Sequence, residues 1–401
     1  MRVLLVNKFL YPNGGSETYI FQLADMLTSM GHEVQFFGME HENRTVGNRV
    51  ESYTSNMDFH TGKLQKLLYP FKIIYSKEAR KKIRAVLEDF QPDVVHLNNF
   101  NFQLTPSIIY EIKRYNIPIV FTAHDYQLVC PNHMMVNGQT GDVCEKCINK
   151  GSLCCTKDKC IHGSFIKSLL GTIENKLYAM LKTYRLIDVV ICPSKFIQDK
   201  LEKNKQLSGK TVAIHNFITE LPDVEVASKK PYVLYFGRYS EEKGIQTLLE
   251  VCRRLPHISF VFAGKGEYET QLAKLPTVKE GGFLTGEALY TLIREARFSL
   301  YPSEWYENCP FSVIESQMLG TPVLGANIGG IPELIQDGIT GMLFQSGSVE
   351  EYAAKIELLW NDETLCKEMT ENCNKTSFMN CEEYCKELLR IYENAIERYG
   401  K

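Results

Sequence analysis

The sequence predicts an α/β chain folded as two doubly wound domains, and three observations carry that prediction. Short, branched, almost continuously apolar runs alternate with segments of helical period, the pattern of parallel strands whose crossover helices cover both faces of a sheet. The alternation is interrupted by one polar, proline-containing stretch, FITELPDVEVASKKP, and then restarts. An internal echo, ICPSKF at 191–196 and LYPSEW at 300–305, repeats a buried strand running into a Pro-Ser turn.

RVLLVN (2–7) opens the first domain as a strand, YPNGG follows as a loop, and SETYIFQLADMLTSM reads as a helix. Ile20, Leu23, Met26 and Leu27 recur at helical spacing there, and Gly31 stands where a C-terminal glycine stops a helix. EVQFFG, DVVHL, IPIVFTA, IDVVIC and TVAIHN are the next strands. Between them lie a long basic helical region, a helix through Ile108 and Ile112, a cysteine-rich insert over 130–160, a helix near 164–182 and one beginning at Lys195. YVLYFG starts the second domain, which continues through ISFVFAG, RFSLYP and TPVLGA, each followed by a helical segment. The predicted bounds are 1–216, a linker at 217–230, 231–380, and a C-terminal helix at 381–401 that crosses back to the first domain. That last helix is amphipathic, with Tyr384, Leu388, Ile391 and Ala395 along one side. Open parallel sheets bind ligands beyond the carboxyl ends of their strands, so a central cleft between two such sheets is the expected site.

At 401 residues the chain is long enough for two domains with large cores, and 44% apolar with 23% charged residues is ordinary for a globular protein. The N-terminal run is too short for a signal peptide or a membrane span, which predicts a cytoplasmic protein. The net charge of -3 hides an asymmetry: residues 1–219 carry 27 Lys+Arg against 20 Asp+Glu, leaving 18 against 28 for the rest. A basic first half suits an anionic partner or membrane face, although uneven solvated charge gives the same count. Nothing in it calls for nucleic acid. Six of the thirteen cysteines fall between Cys130 and Cys160. In a cytoplasmic chain, the gap between Cys144 and Cys147 with Cys130, Cys155 and Cys160 nearby fits a structural zinc held by four of these five, or else free thiols.

The residues with chemistry follow strands. GRYSEEKG supplies Gly237 for a tight exit, the bidentate Arg238 and the point charge of Lys243, a pair suited to a diphosphate; surface pairing with Glu241 or Glu242 is the competing reading. In ENCPFSVIE, Pro310 suits a first helical turn, so Glu307 falls in a loop and Glu315 a little over one turn into a helix whose N-terminus attracts anions. YPNGGSET places Gly14 and Gly15 between a strand and a helix, where backbone can approach a ligand. It is not the dinucleotide fingerprint, which weighs against an oxidoreductase. FTAHDY puts His124 and Asp125 directly after a strand, as a general base with its orienting carboxylate or as a hydrogen-bond donor to a bound sugar.

Together, GRYSEEKG, AGKGE, PSEWYENCPFSVIE and GTPVLGANIGGIPELIQDGITG, in this order, closely resemble the second domain of retaining family 4 glycosyltransferases with the GT-B fold. YPNGGSET and TAHDY resemble their first domain, and the likeness covers nearly the whole chain outside the insert and the region 40–90. It implies two Rossmann-like domains. It further implies that Arg238 and Lys243 hold a donor diphosphate, that Glu307 bonds the donor sugar's hydroxyls and Glu315 the ribose, and that His124 contacts the sugar near the reacting carbon. Amides around Asn308, Cys309, Pro310 and Phe311 would line the same donor site, with Gly14, Gly15 and Gly237. ENCP stands here where the family commonly has Glu-Gly-Phe-Gly.

The implied reaction is sugar transfer with retention from a UDP- or GDP-linked donor to a glycan or lipid-linked acceptor in cell-surface polysaccharide synthesis. Cations and helix dipoles would replace a catalytic metal, and no Asp-x-Asp segment occurs in the chain. A sugar-nucleotide epimerase, a phosphorylase and a non-catalytic sugar-nucleotide-binding subunit are the alternatives. The basic stretch 63–84 mixes Lys and Arg with Leu, Ile, Tyr and Phe, as a peripheral membrane-surface element does and as a helix packed on the sheet also does.

Overall fold

The computed structural model describes residues 1–56, 73–219, 221, 226 and 228–400. By backbone proximity the chain forms two compact units, Met1–Asn216 with Cys381–Lys401, and Phe217–Asn380.

The first unit is built on strands β1 (Arg2–Val6), β2 (Glu33–Phe37), β3 (Val94–Leu97), β4 (Ile119–Thr122), β5 (Val189–Cys192) and β6 (Thr211–Ala213). They form one parallel sheet in the order β2-β1-β3-β4-β5-β6. β3, β4 and β5 are buried along their whole length, as continuous apolar runs require when helices cover both faces. Gly14 caps the helix Gly15–Ser29, and Gly31 follows it in the left-handed region at φ +86. The helix Cys381–Glu397 belongs to this unit. Its tyrosines dock it: Tyr384 shares a hydrogen bond with Tyr19 at 2.8 Å, and Tyr392 bonds His96 Nδ1 at 2.6 Å. Part of the basic stretch 63–84 lies outside the described residues; from Lys77 to Phe90 it is a helix capped by Ser76.

The second unit holds β7 (Lys230–Phe236), β8 (Phe260–Ala263), β9 (Val278–Gly282), β10 (Ala296–Tyr301), β11 (Val323–Ala326) and β12 (Gly341–Phe344), parallel in the order β12-β11-β10-β7-β8-β9. β9 and β12 were not anticipated. Both are edge strands, and β9 reads VKEGG with mostly exposed side chains, so neither needs the apolar run that marks an inner strand. Ile218, placed by the sequence in a polar linker, joins the core of this unit, and its backbone N–H donates to the Met379 carbonyl at 3.1 Å.

Each sheet has a point where the chain reverses its direction of travel across the strands. In the first it lies between β1 and β3, in the second between β7 and β10, and ligands of doubly wound sheets bind beyond the carboxyl ends of strands at such points.

Candidate functional site

In the second unit the loops leaving β7 and β10 meet at that reversal. Gly237 leaves β7 at φ +147, and the Tyr235 hydroxyl donates to the Arg238 carbonyl at 2.7 Å to hold the turn. Gly244 sits at φ +70 where an added Cβ would lie 1.9 Å from the Pro302 carbonyl oxygen, so only glycine lets the two loops pass this closely. They are also stitched by backbone: the Glu242 carbonyl accepts from Ser303 Oγ at 3.2 Å and from the Glu304 N–H at 3.0 Å.

The stitching brings two predicted residues together. Lys243 Nζ donates to Glu307 Oε1, and the same oxygen accepts from Trp305 Nε1 at 2.6 Å and Ser303 Oγ at 3.0 Å. The ammonium also reaches the Tyr301 hydroxyl at 3.3 Å and lies 5.6 Å and 5.5 Å from the Tyr301 and Trp305 ring centroids. Glu307 is buried. Burial by itself raises its carboxyl, but the Lys243 charge and the three donors outweigh that and hold it below the usual carboxylate range. Its backbone is fixed from a third loop: Gly330 N–H donates to the Glu307 carbonyl at 2.7 Å, and a Cβ at Gly329, φ +62, would fall 2.4 Å from that oxygen. The partners Tyr301, Ser303 and Trp305 and the glycines 329–330 were not singled out as site residues.

Arg238 lies at the rim, largely exposed, with Nη2 2.7 Å from Glu242 Oε1, the surface pairing weighed as the competing reading. Pro310 is the extended N-cap of the helix Phe311–Met318, Cys309 is buried beneath it and Asn308 precedes it in the loop. Glu315 stands in that helix, where burial pushes its carboxyl up to about 7.

In the first unit a polar cluster gathers at the ends of β1, β3 and β4. His124 Nε2 pairs with Asn98 Oδ1 at 2.8 Å, and its ring packs edge-on against Tyr19 with centroids 5.0 Å apart. Burial drives the imidazole down to about 3, so it is neutral at any working pH. Beside it, Asn7 Nδ2 and Ser16 Oγ donate to buried Glu17 Oε1 at 2.8 and 3.0 Å, and Asn99 Nδ2 donates to Ser16 Oγ at 2.9 Å. Asp125 does not orient His124: it accepts from the Gln127 N–H at 2.8 Å and stands 3.7 Å from His133 Nδ1. Gly14 and Gly15 are exposed at the head of the first helix, which begins beside this cluster. Glu17 lies in YPNGGSET but was not singled out, and Asn7, Asn98 and Asn99 carried no motif; the run NNFN directly after β3 was the available signal.

Within the insert, Cys130 and Cys147 lie close enough to perturb each other's ionisation, as do Cys155 and Cys160; Cys130 Sγ donates to Asn132 Oδ1 at 2.9 Å, and Cys144 lies within electrostatic range of Cys130 and Cys160. The nearness of Cys155 lowers Cys160 to about 6, and Cys160 raises Cys155 in turn. Among the described residues, no group of three or more His, Cys, Asp or Glu side chains is arranged to hold a metal ion.

Two family models match the chain: Glycosyltransferase Family 4 over residues 13–220 and Glycosyl transferases group 1 over 217–376. An uncharacterized 42.6 kDa protein in the cps region of Klebsiella pneumoniae is 25% identical over 352 residues, 83% of this chain and 87% of that one. The lipopolysaccharide core biosynthesis glycosyltransferase LpsE of Rhizobium meliloti is 25% identical over 53% of this chain and 65% of its own. Among solved structures, the Anabaena protein HepE in complex with UDP superposes with TM-score 0.68 at 15% identity, covering 98% of this chain and 100% of that one, which identifies the fold as that of the GT-B glycosyltransferases.

Proposed function

The chain belongs to glycosyltransferase family 4, and from that premise we propose that it transfers a sugar, with retention, from a nucleoside-diphosphate donor to a glycan or lipid-linked acceptor in polysaccharide synthesis. The observation that carries the donor side is the Lys243 ammonium held against buried Glu307 at the reversal point of the second sheet, with Arg238 at the rim. A diphosphate entering there meets one guanidinium fork and one point charge, the pairing that spreads over several phosphate oxygens. Glu307, kept ionised and aimed by Trp305 and Ser303, accepts hydrogen bonds from sugar hydroxyls; Glu315 takes the ribose. UDP, which HepE binds, is the first nucleotide to try.

In the reaction the bond from the anomeric carbon to the phosphate oxygen breaks, the acceptor oxygen bonds to that carbon on the same face, and the acceptor proton passes to the departing diphosphate. Lys243 and Arg238 stabilise the charge that develops on the leaving group, the electrostatic term that is usually largest. For His124 we infer a hydrogen-bonding role, because a ring titrating near 3 is a poor base at neutral pH. The membrane-surface placing, at the cytoplasmic side, rests on the basic excess of residues 1–219; among the described residues no helix is long and apolar enough to cross a membrane.

The structural zinc also goes forward as a proposal. Its support is that Cys130 and Cys147, and likewise Cys155 and Cys160, lie close enough to perturb each other's ionisation, thiols that would give up their protons on closing around one ion. Elemental analysis of protein purified without added metal tests it, close to one zinc per chain being the expected result.

For the transfer, a panel of UDP- and GDP-sugars is incubated with and without glycan acceptors and nucleoside-diphosphate release is measured. Acceptor-dependent release, with the product's anomeric configuration retained by NMR and activity surviving EDTA, is expected. Donor turnover into an epimer, or dependence on inorganic phosphate, would sink this reading.

A further inference from the structure

The helix Phe165–Met180 is turned inside out. Its buried residues are Ser168, Gly171, Thr172, Glu174 and Tyr178, a small and polar set. Phe165, Ile166, Ile173 and Met180 are exposed, Ile166 at 68% and Met180 at 72%, and Leu181 continues the face beyond the helix end. At 100° per residue the positions 165, 166, 169, 170, 173, 177, 180 and 181 span an arc of about 160° and are all apolar, Leu169, Leu170 and Leu177 being half-buried; Lys176 is the one charged position in the arc, at its edge beside Phe165. A helix on a protein surface ordinarily shows the opposite orientation.

The orientation is enforced from below by the cysteine-rich insert. Thr172 Oγ1 accepts from Thr156 Oγ1 at 2.8 Å and donates to the Ser152 carbonyl at 3.0 Å, and Ser168 Oγ accepts from the Ile161 N–H at 2.9 Å. A Cβ at Gly171 would come within 2.6 Å of Ile161 Cδ1, so the helix lies close on its support. Rolling it to bury the isoleucines would break these bonds and set apolar side chains against the Thr156 hydroxyl, the Ser152 carbonyl and the Ile161 N–H, leaving those groups unsatisfied. The apolar face is therefore a fixed feature of the surface, and contiguous exposed apolar area of this kind marks a contact site.

Charge identifies what covers it. Residues 146–186 contain eight Lys and Arg against two acids, Asp158 and Glu174. Asp158 is paired with Lys146, and Glu174 is buried. Lys167, Lys176 and Lys182 are exposed on and just beyond the helix itself. An apolar stripe flanked by unopposed lysines matches the boundary of a bilayer, where acyl chains meet anionic headgroups. A second copy of this chain would bring like charges together around the same stripe.

We propose that the outward face of the helix Phe165–Met180 is seated in the headgroup boundary of an anionic membrane, with the cysteine-rich insert as its mount. This deepens the membrane-surface part of the functional reading and rests on none of its donor chemistry.

The test is co-sedimentation of the full chain with vesicles of phosphatidylcholine alone and of phosphatidylcholine with phosphatidylglycerol. Wild type should pellet with the second and not the first. Ile166→Ser/Ile173→Ser/Met180→Ser should weaken this roughly tenfold or more, and Lys167→Gln/Lys176→Gln/Lys182→Gln should weaken it less while flattening its salt dependence. All six positions are exposed, so circular dichroism and melting should match wild type; the lysine variant keeps the test alive if the triple serine chain does not fold. Wild type left in the supernatant overturns the proposal, as do equal binding to both vesicle types, serine-variant binding equal to wild type, or a dimer in light scattering that only the serine variant abolishes. Donor turnover with a soluble glycan acceptor, read in parallel, separates the two claims: vesicle binding without turnover defeats the transferase reading alone, and turnover without vesicle binding defeats this one alone.

Discussion

Both sheets reverse their direction of travel, the first after two strands and the second after three, yet the chemistry gathered at the two reversal points is opposite in kind. In the second unit it is ionic: Lys243 against Glu307, with Arg238 at the rim. In the first it is a mesh of amides, hydroxyls and a neutral imidazole, whose buried Glu17 is bonded, among the described residues, by Asn7 and Ser16 and not by a cation. Topology fixes where a ligand binds in such sheets; the side chains at the strand ends decide which ligand. A charged centre suits a group that leaves as an anion, and a neutral mesh suits hydroxyl-rich partners that must be oriented without being ionised.

The largest effect should come from removing the charge. Lys243→Met is expected to lower kcat/KM by about a hundred- to a thousandfold, as loss of one preorganised electrostatic contact does. It should also leave Glu307 buried without its cation and so cost stability on the order of 3 kcal/mol, visible in denaturant melts. A variant that melts lower and turns over normally would break the comparison, for Lys243 would then be a structural counterion only.

Glu307→Gln keeps the shape and removes the charge, and turnover should fall by about ten- to a hundredfold, corresponding to roughly 1.5–3 kcal/mol for a charge-assisted bond. Since the Gln variant still accepts from Trp305 and Ser303, its fold should persist by circular dichroism. Unchanged turnover would remove Glu307 from the donor site.

How far the sequence foretold this contrast depends on the kind of residue. Arg238, Lys243 and Glu307 were legible because charges immediately after an apolar strand must be either solvated or in use. Their neighbours Tyr301, Ser303 and Trp305 were not: Ser303 and Trp305 bond Glu307 inside one irregular loop whose turns no period announces, and Lys243 meets Tyr301 and Trp305 only because two loops pass within a Cβ's width at Gly244. Asn7, Asn98 and Asn99 escaped notice since amides are common in any loop and only the convergence of β1 and β3 makes them a cluster. Inner strands announced themselves by unbroken apolar runs; edge strands β9 and β12 did not. Periodicity placed a helix near 164–182 correctly, but its usual corollary, that the apolar side turns inward, fails for Ile166, Ile173 and Met180.

His124 sharpens the comparison at smaller amplitude. If the first unit's cluster works by hydrogen bonding, His124→Ala should reduce kcat/KM by about tenfold while His124→Asn, able to donate, recovers part of it. With the ring held neutral down to about 3, the wild-type pH profile should show no limb near the ordinary histidine value that disappears in the Asn variant. Such a limb would make His124 an acid–base group, and the contrast between the two units would fail.

The smallest effect is a linkage at Glu315. Burial raises its carboxyl from the ordinary 4.5 to about 7 in the folded chain, so between those values the folded state holds a proton that the unfolded state has lost. Stability from this group is therefore fully present below about pH 4.5 and is lost as pH rises toward 7, the reverse of Glu307, whose lowered carboxyl favours the folded state above its unfolded value and loses that contribution as pH falls. Glu315→Gln removes the slope: relative to wild type it should gain on the order of 1–2 kcal/mol at pH 8 and nothing near pH 4, read from denaturant melts at the two values. If Glu315 takes the ribose as an ionised acceptor, UDP added to wild type at pH 6 should also release a fraction of a proton, seen as a dependence of the calorimetric heat on buffer ionisation enthalpy, and the Gln variant should release none from this site. Parallel stability profiles for wild type and Glu315→Gln would show that its carboxyl is not desolvated, leaving one acid of the second unit tuned by its environment and the other merely present.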